Sequence, residues 1–134
     1  MSSTSPEPVR VLLVDDSDSM IQRAAAILAP ECVIVGTANN GADALDAIGT
    51  LRPDVVVLDI SMPGLSGLQV ASALRHQGSS AAVVFLTVHD DQDFVAAAQE
   101  AGGTGYVVKR RLASDLMLAV QEAHAGRSFV SALS

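Results

Sequence analysis

The chain has 134 residues, a formal net charge of -7, 49% hydrophobic residues and only 3% aromatic residues. That length suits one domain with a core of Val, Leu, Ile and Ala, and the acidic balance argues against direct nucleic-acid binding, which relies on Lys and Arg. A lone cysteine, Cys32, excludes an internal disulfide and points to a reducing compartment.

Residues 1–8 carry Ser, Thr, Pro and Glu without a basic or apolar signal region, and read as a disordered tail. No apolar stretch approaches the ~20 residues that span a bilayer. No membrane partner is therefore expected, and the cytoplasm is the expected location. Residues 10–14 (RVLLV) form a short apolar strand closed at once by Asp15 and Asp16. Ser17 or Asp18 can cap the helix that follows, in which Met20, Ile21, Ala24, Ile27 and Leu28 recur at helical spacing. Residues 32–37 form a second strand, where Cys32 beside Val33, Ile34 and Val35 reads as an inert core thiol. Asn39-Asn40-Gly41 then turns into a helix with Ala44, Leu45 and Ile48 on its apolar face.

The third strand, residues 54–58, lies in the stretch PDVVVLDISMPGLSG, and its run of apolar, mostly β-branched residues suits a strand buried on both faces. It ends on a carboxylate, Asp59. Pro63, Gly64 and Gly67 mark a constrained loop beyond it. Leu65, Leu68, Ala71 and Leu74 mark a third helix, and residues 82–86 (AVVFL) a fourth strand ending in Thr87. Asp90 or Asp91 can cap a helix through Phe94, Val95, Ala98 and Ala101 that stops at Gly102-Gly103. A fifth strand, residues 105–108 (GYVV), ends in Lys109, and a last helix presents Leu112, Leu116, Val120 and Ala123. Five strands alternating with five helices imply a doubly wound parallel sheet covered on both faces. Residues 9–126 make up this domain, and residues 127–134 read as a helix exit or the start of a linker.

Every strand of such a sheet delivers its C-terminal residue to one edge, where open α/β sheets place their ligands. Asp15, Asp16, Asp59, Thr87 and Lys109 therefore converge. Three carboxylates held together repel and take up protons unless a cation neutralises them. Oxygen ligands without His or Cys favour Mg²⁺. With the metal in place, Asp59 is the best candidate for a nucleophile of the aspartyl-phosphate kind, Lys109 for charge neutralisation and Thr87 for hydroxyl donation to a phosphoryl oxygen. His76, His89 and His124 share no metal-ligand spacing and read as surface residues. The glycines at 36 and 41 fit the start of a P-loop, but Ala42 and Asp43 stand where Lys and Ser or Thr are required.

The joint pattern of DD, LDISMPG, LT and GYVVK at these spacings resembles the receiver domain of two-component response regulators, over nearly the whole chain. The segments LTVHDD, GYVVK and AVQEAHAGRSFVS look most like the LuxR-type (NarL/FixJ-like) subfamily. The resemblance implies a flavodoxin-like fold with five strands in the order 2-1-3-4-5. It also implies that Asp59 is the phosphoacceptor, taking a phosphoryl group from a sensor histidine kinase or phosphotransfer protein. Asp16, Asp59 and the backbone carbonyl of Ser61 would bind Mg²⁺ (or Mn²⁺), with Asp15 acting through a water. Tyr106 matches the switch aromatic that turns inward when Thr87 moves. The fourth helix, fifth strand and last helix would form the output face, available to a homodimer. The protein would be a signalling switch, catalysing only its own phosphoryl transfer and dephosphorylation.

Members of this subfamily usually continue into a DNA-binding helix-turn-helix that controls transcription. None is present in this chain, which is expected to be either an isolated receiver or a stand-alone one. Four positions stand out as modulators. Arg110 follows Lys109 where many receivers have a cis proline, and a non-proline cis bond costs about 3–4 kcal/mol, so that bond is trans or strained. Val88 is expected to narrow access to Asp59, and Ser61 and His89 occupy positions that tune dephosphorylation. Two other functions compete. An aspartate-nucleophile phosphatase would want a second aspartate where Ser61 stands, and a phosphorylation-independent module would normally lack one of the five site residues.

Overall fold

A computed structural model describes residues 7–89 and 92–132. Its strands are β1 (Val9–Val14), β2 (Cys32–Ala38), β3 (Val55–Asp59), β4 (Ala82–Thr87), β5 (Gly105–Val108) and β6 (Phe129–Val130). They alternate with α1 (Asp18–Leu28), α2 (Gly41–Leu51), α3 (Gly67–His76), α4 (Gln92–Glu100) and α5 (Leu112–His124), and a 3₁₀ turn over Lys109–Arg111 links β5 to α5. All strand pairs are parallel, in the order β2-β1-β3-β4-β5-β6.

Two core layers follow from the two-residue period of the strands. Val11, Val55, Val57, Val84 and Val107 pack with Leu28 of α1 and with Leu112 and Leu116 of α5. Leu12, Val56, Leu58, Val83 and Phe85 point the other way, onto Ala44, Val70, Leu74 and Val95 of α2, α3 and α4. Helices therefore cover both faces, and the sheet's C-terminal edge remains as the place for chemistry. Cys32 is buried, and burial, followed by the charge of Glu31, raises its thiol above the ordinary value. The thiol thus stays protonated, as an inert core group should.

The expected fold needs one correction. The sheet has a sixth strand, because Phe129 and Val130 pair with Gly105 and Tyr106 on the free edge of β5. A two-residue strand is too short to show a period. The five-strand order is extended rather than rearranged.

Helix starts match side-chain chemistry. Ser17, not Asp18, caps α1 by accepting from the Met20 N–H, Asn40 caps α2, and Ser66 with Gln69 forms a capping box on α3. Leu65 lies before α3 and is 38% exposed, while Val70 fills the buried position on that helix. The expected caps of α4, Asp90 and Asp91, lie outside the described residues, as do residues 1–6 of the tail. The loop glycines after β3 have separate reasons. Gly64 has a left-handed φ of 75°, whereas a Cβ at Gly67 would meet the Asp59 carbonyl oxygen at 2.3 Å. Gly67 lets α3 start directly against the end of β3.

Candidate functional site

Asp15 follows β1, Asp59 closes β3, Thr87 closes β4 and Lys109 follows β5, so the parallel topology brings all four to one edge. Asp15 and Asp59 are each 2% exposed, whereas Asp16 is exposed. One oxygen from each of the three carboxylates lies within 4.8 Å of the others. Among the described residues, this is the one cluster of potential metal-ligating side chains.

Lys109 reaches back over this cluster. Its Nζ lies 3.1 Å from Asp15 Oδ2 and 3.3 Å from Asp59 Oδ1. The ammonium works against burial, but Asp59 and Asp15 outweigh that and raise its pKa further. For Asp59, burial comes first and the neighbouring Asp15 charge second. Together they push its carboxyl up to about 6, against the opposing pull of Lys109 and the Ser61 N–H.

The carboxylates are only partly satisfied. Ser17 donates its backbone N–H to Asp15 Oδ1 at 2.9 Å, and Ser61 donates to Asp59 Oδ1 at 3.3 Å. Asp15 Oδ2 has the Lys109 charge beside it but no aligned hydrogen-bond donor among the described residues. A buried carboxylate oxygen left in that state is a poor structural element and a good cation ligand. Hard oxygen donors in this number, two of them buried, fit a divalent ion of the Mg²⁺ class.

Thr87 and Tyr106 form a second group beside the carboxylates. Thr87 is 1% exposed, and its Oγ1 accepts the His89 N–H at 3.0 Å. Tyr106 is 2% exposed, turned inward, and donates its hydroxyl to the His89 carbonyl at 3.1 Å. Both side chains therefore hold the backbone of His89. Its imidazole stacks on Phe94 at a centroid distance of 4.0 Å, and His89 is half-buried rather than fully exposed. Val88 is 68% exposed, and Arg110 sits exposed in the 3₁₀ turn. The Lys109–Arg110 peptide is trans, no cis bond occurring among the described residues.

The family model of the response regulator receiver domain matches residues 11–121. The chain belongs to that family. This receiver is 32% identical over 130 residues to the nitrate/nitrite response regulator protein NarL of Escherichia coli, covering 96% of the chain and 60% of that protein. It is 35% identical over 133 residues to the transcriptional regulatory protein NarL of Mycobacterium tuberculosis, covering 98% and 62%. The receiver-domain structure of a Mycobacterium tuberculosis NarL superimposes with a TM-score of 0.87 at 34% identity, over 91% of this chain and all of that one. The receiver thus spans about three-fifths of the length of these curated relatives. It is a signalling domain rather than a conventional enzyme, and no helix among the described residues is long and apolar enough to cross a membrane.

Sequence reasoning missed a third buried carboxylate. Asp115, on α5, is 6% exposed and accepts from Ser131 Oγ at 2.7 Å, Ser114 Oγ at 2.9 Å and Arg111 Nε at 3.0 Å. One signal was available: Asp115 falls three residues after Leu112 and four before Ala119, on the helix face that must be buried.

Proposed function

We propose that Asp59 is the phosphoacceptor of a two-component switch, taking a phosphoryl group from the phosphohistidine of a sensor histidine kinase or phosphotransfer protein. The observation that carries this reading is the placement of Asp59, buried at the end of β3 with the Lys109 ammonium at 3.3 Å and a second buried carboxylate beside it. In the transfer, an Asp59 carboxylate oxygen forms the new O–P bond while the donor's N–P bond breaks and its electron pair returns to the imidazole. Asp16, Asp59 and the Ser61 carbonyl would hold Mg²⁺ (or Mn²⁺), with Asp15 acting through water, and the ion would supply positive charge opposite the phosphoryl oxygens. Lys109 contributes the charge this chain itself owns. Thr87 Oγ1 keeps a proton to donate while it accepts from His89, so it can bond a phosphoryl oxygen and draw the His89 backbone with it.

The Tyr106 hydroxyl shares that backbone, which makes the start of α4 responsive to Asp59. Val88, His89 and Arg110 flank this path and would set the rates of phosphorylation and of the receiver's own dephosphorylation. The face made by α4, β5 and α5 would then carry the output, through a homodimer or a LuxR-type DNA-binding domain beyond this chain, and so control transcription. The chain beyond β6 would lead toward that domain, residues 1–8 would be a tail, and the switch would act in the cytoplasm.

Mixing the protein with Mg²⁺ and beryllofluoride while following backbone NMR shifts tests the reading. Shifts at Thr87, His89, Tyr106 and Lys109 that are absent in Asp59→Asn are expected. Equal shifts in both proteins, or none in wild type, would overturn it.

A further inference from the structure

Among the described residues, Lys109 is the one cation that touches both buried carboxylates of the site, yet its charge stands at the end of a flexible four-carbon stem. What fixes its backbone is visible on both sides. The preceding residue, Val108, donates its N–H to Ser131 Oγ at 3.1 Å, and Ser131 Oγ donates to Asp115 Oδ2 at 2.7 Å. Two residues after Lys109, Arg111 donates its Nε to the same Asp115 oxygen at 3.0 Å. The backbone of Lys109 is thus bracketed by two anchors that meet on one buried carboxylate oxygen.

Ser131 does its part by prolonging a ladder that has run out of strand. Its N–H donates to the Tyr106 carbonyl at 2.9 Å, as the next rung after β6 should. Where the opposite rung would need a main-chain carbonyl, the Ser131 hydroxyl accepts the Val108 N–H instead. Ser131 is 2% exposed, so without that hydroxyl the Val108 N–H would lose a buried partner at the point where the chain turns to present Lys109.

We propose that Asp115, acting through Ser131 and Arg111, is a positioning residue for Lys109 in phosphoryl transfer to Asp59. Neither Asp115 nor Ser131 touches the reacting atoms. They set where the Lys109 stem begins, and phosphoryl transfer depends on positioned charge more than on any covalent step by the cation. The inference rests on the reading of Asp59 as phosphoacceptor.

The test is the Mg²⁺-dependent rate at which acetyl phosphate labels the protein, resolved into a maximal rate and a half-saturating concentration, with Val108 N–H exchange measured in parallel. Ser131→Ala and Asp115→Asn are expected to lower the maximal rate about fivefold, while the half-saturating concentration moves less than about twofold. Ser131→Thr, which keeps the hydroxyl, is expected to restore the rate, and it carries the test with Asp115→Asn should Ser131→Ala fail to fold. In a Lys109→Ala background, Ser131→Ala is expected to add no further loss, because its effect passes through the missing ammonium. Wild-type labelling rates in Ser131→Ala and Asp115→Asn would overturn this inference alone, as would an equal loss in the Lys109→Ala background. A wild-type protein that takes no label would overturn the phosphoacceptor reading and this inference with it.

Discussion

Asp59 and Asp115 are both buried carboxylates in one small domain, 2% and 6% exposed, and their surroundings drive them in opposite directions. At Asp59 burial and the Asp15 charge prevail, and the carboxyl rises to about 6. At Asp115 burial also works against the charge, but donors from Ser131, Arg111 and Ser114 outweigh it and hold the carboxyl below its ordinary range. The difference lies in how completely the oxygens are satisfied. Asp115 is finished as a structural element, with hydrogen bonds to both oxygens. Asp59 is left with one backbone donor and a shared ammonium, an arrangement that favours whatever adds positive charge or removes the negative one.

The comparison breaks most visibly at Asp115. Asp115→Ala strips the acceptor from three donors and is expected to cost about 3 kcal/mol in urea unfolding. A loss below about 0.5 kcal/mol would mean that the network holds nothing.

Next comes Asp59, where the sign reverses. Because its folded carboxyl titrates near 6 against an ordinary 3.8, the folded state binds the extra proton between those values. The stabilisation from that proton is complete below the unfolded value and is lost as pH rises through about 6. Without divalent metal, Asp59→Asn is therefore expected to be more stable than wild type by about 2 kcal/mol at neutral pH, with the gain gone near pH 4. Added Mg²⁺ should stabilise wild type at neutral pH and do so less in Asp59→Asn, measured as a shift in melting temperature. A destabilised Asp59→Asn would contradict the contrast drawn here.

The smallest effect sharpens the account of Asp115. Ser114→Ala removes one donor from the exposed side of a carboxylate that keeps two others, and is expected to cost about 0.5 kcal/mol. A loss as large as that of Asp115→Ala would place the network's strength at Ser114 rather than at Ser131 and Arg111.

The two carboxylates also differ in how far the sequence disclosed them. Asp59 was legible because parallel strands end at one edge, so a charge closing an apolar run such as VVVL has a known destination. Asp15, Thr87 and Lys109 were legible for the same reason. Asp115 was not, since its partners are set by tertiary register: Ser131 lies sixteen residues away, and its other contact, the Val108 N–H, twenty-three. The same limit hid β6, whose Phe129 and Val130 pair with Gly105 and Tyr106 without showing a period of their own. At Gly67 the residue was noticed for its backbone freedom, whereas the contact with the Asp59 carbonyl is what requires it.

The central claim is that Asp59, and no other carboxylate, receives the phosphoryl group. Labelling with acetyl phosphate and Mg²⁺, reduction of the acyl phosphate with borohydride and peptide mapping would locate it. The account predicts one modified residue, Asp59, with no label in Asp59→Asn and none when the metal is chelated. Label on Asp15, Asp16 or a residue outside this edge, or label that persists in Asp59→Asn, would contradict it.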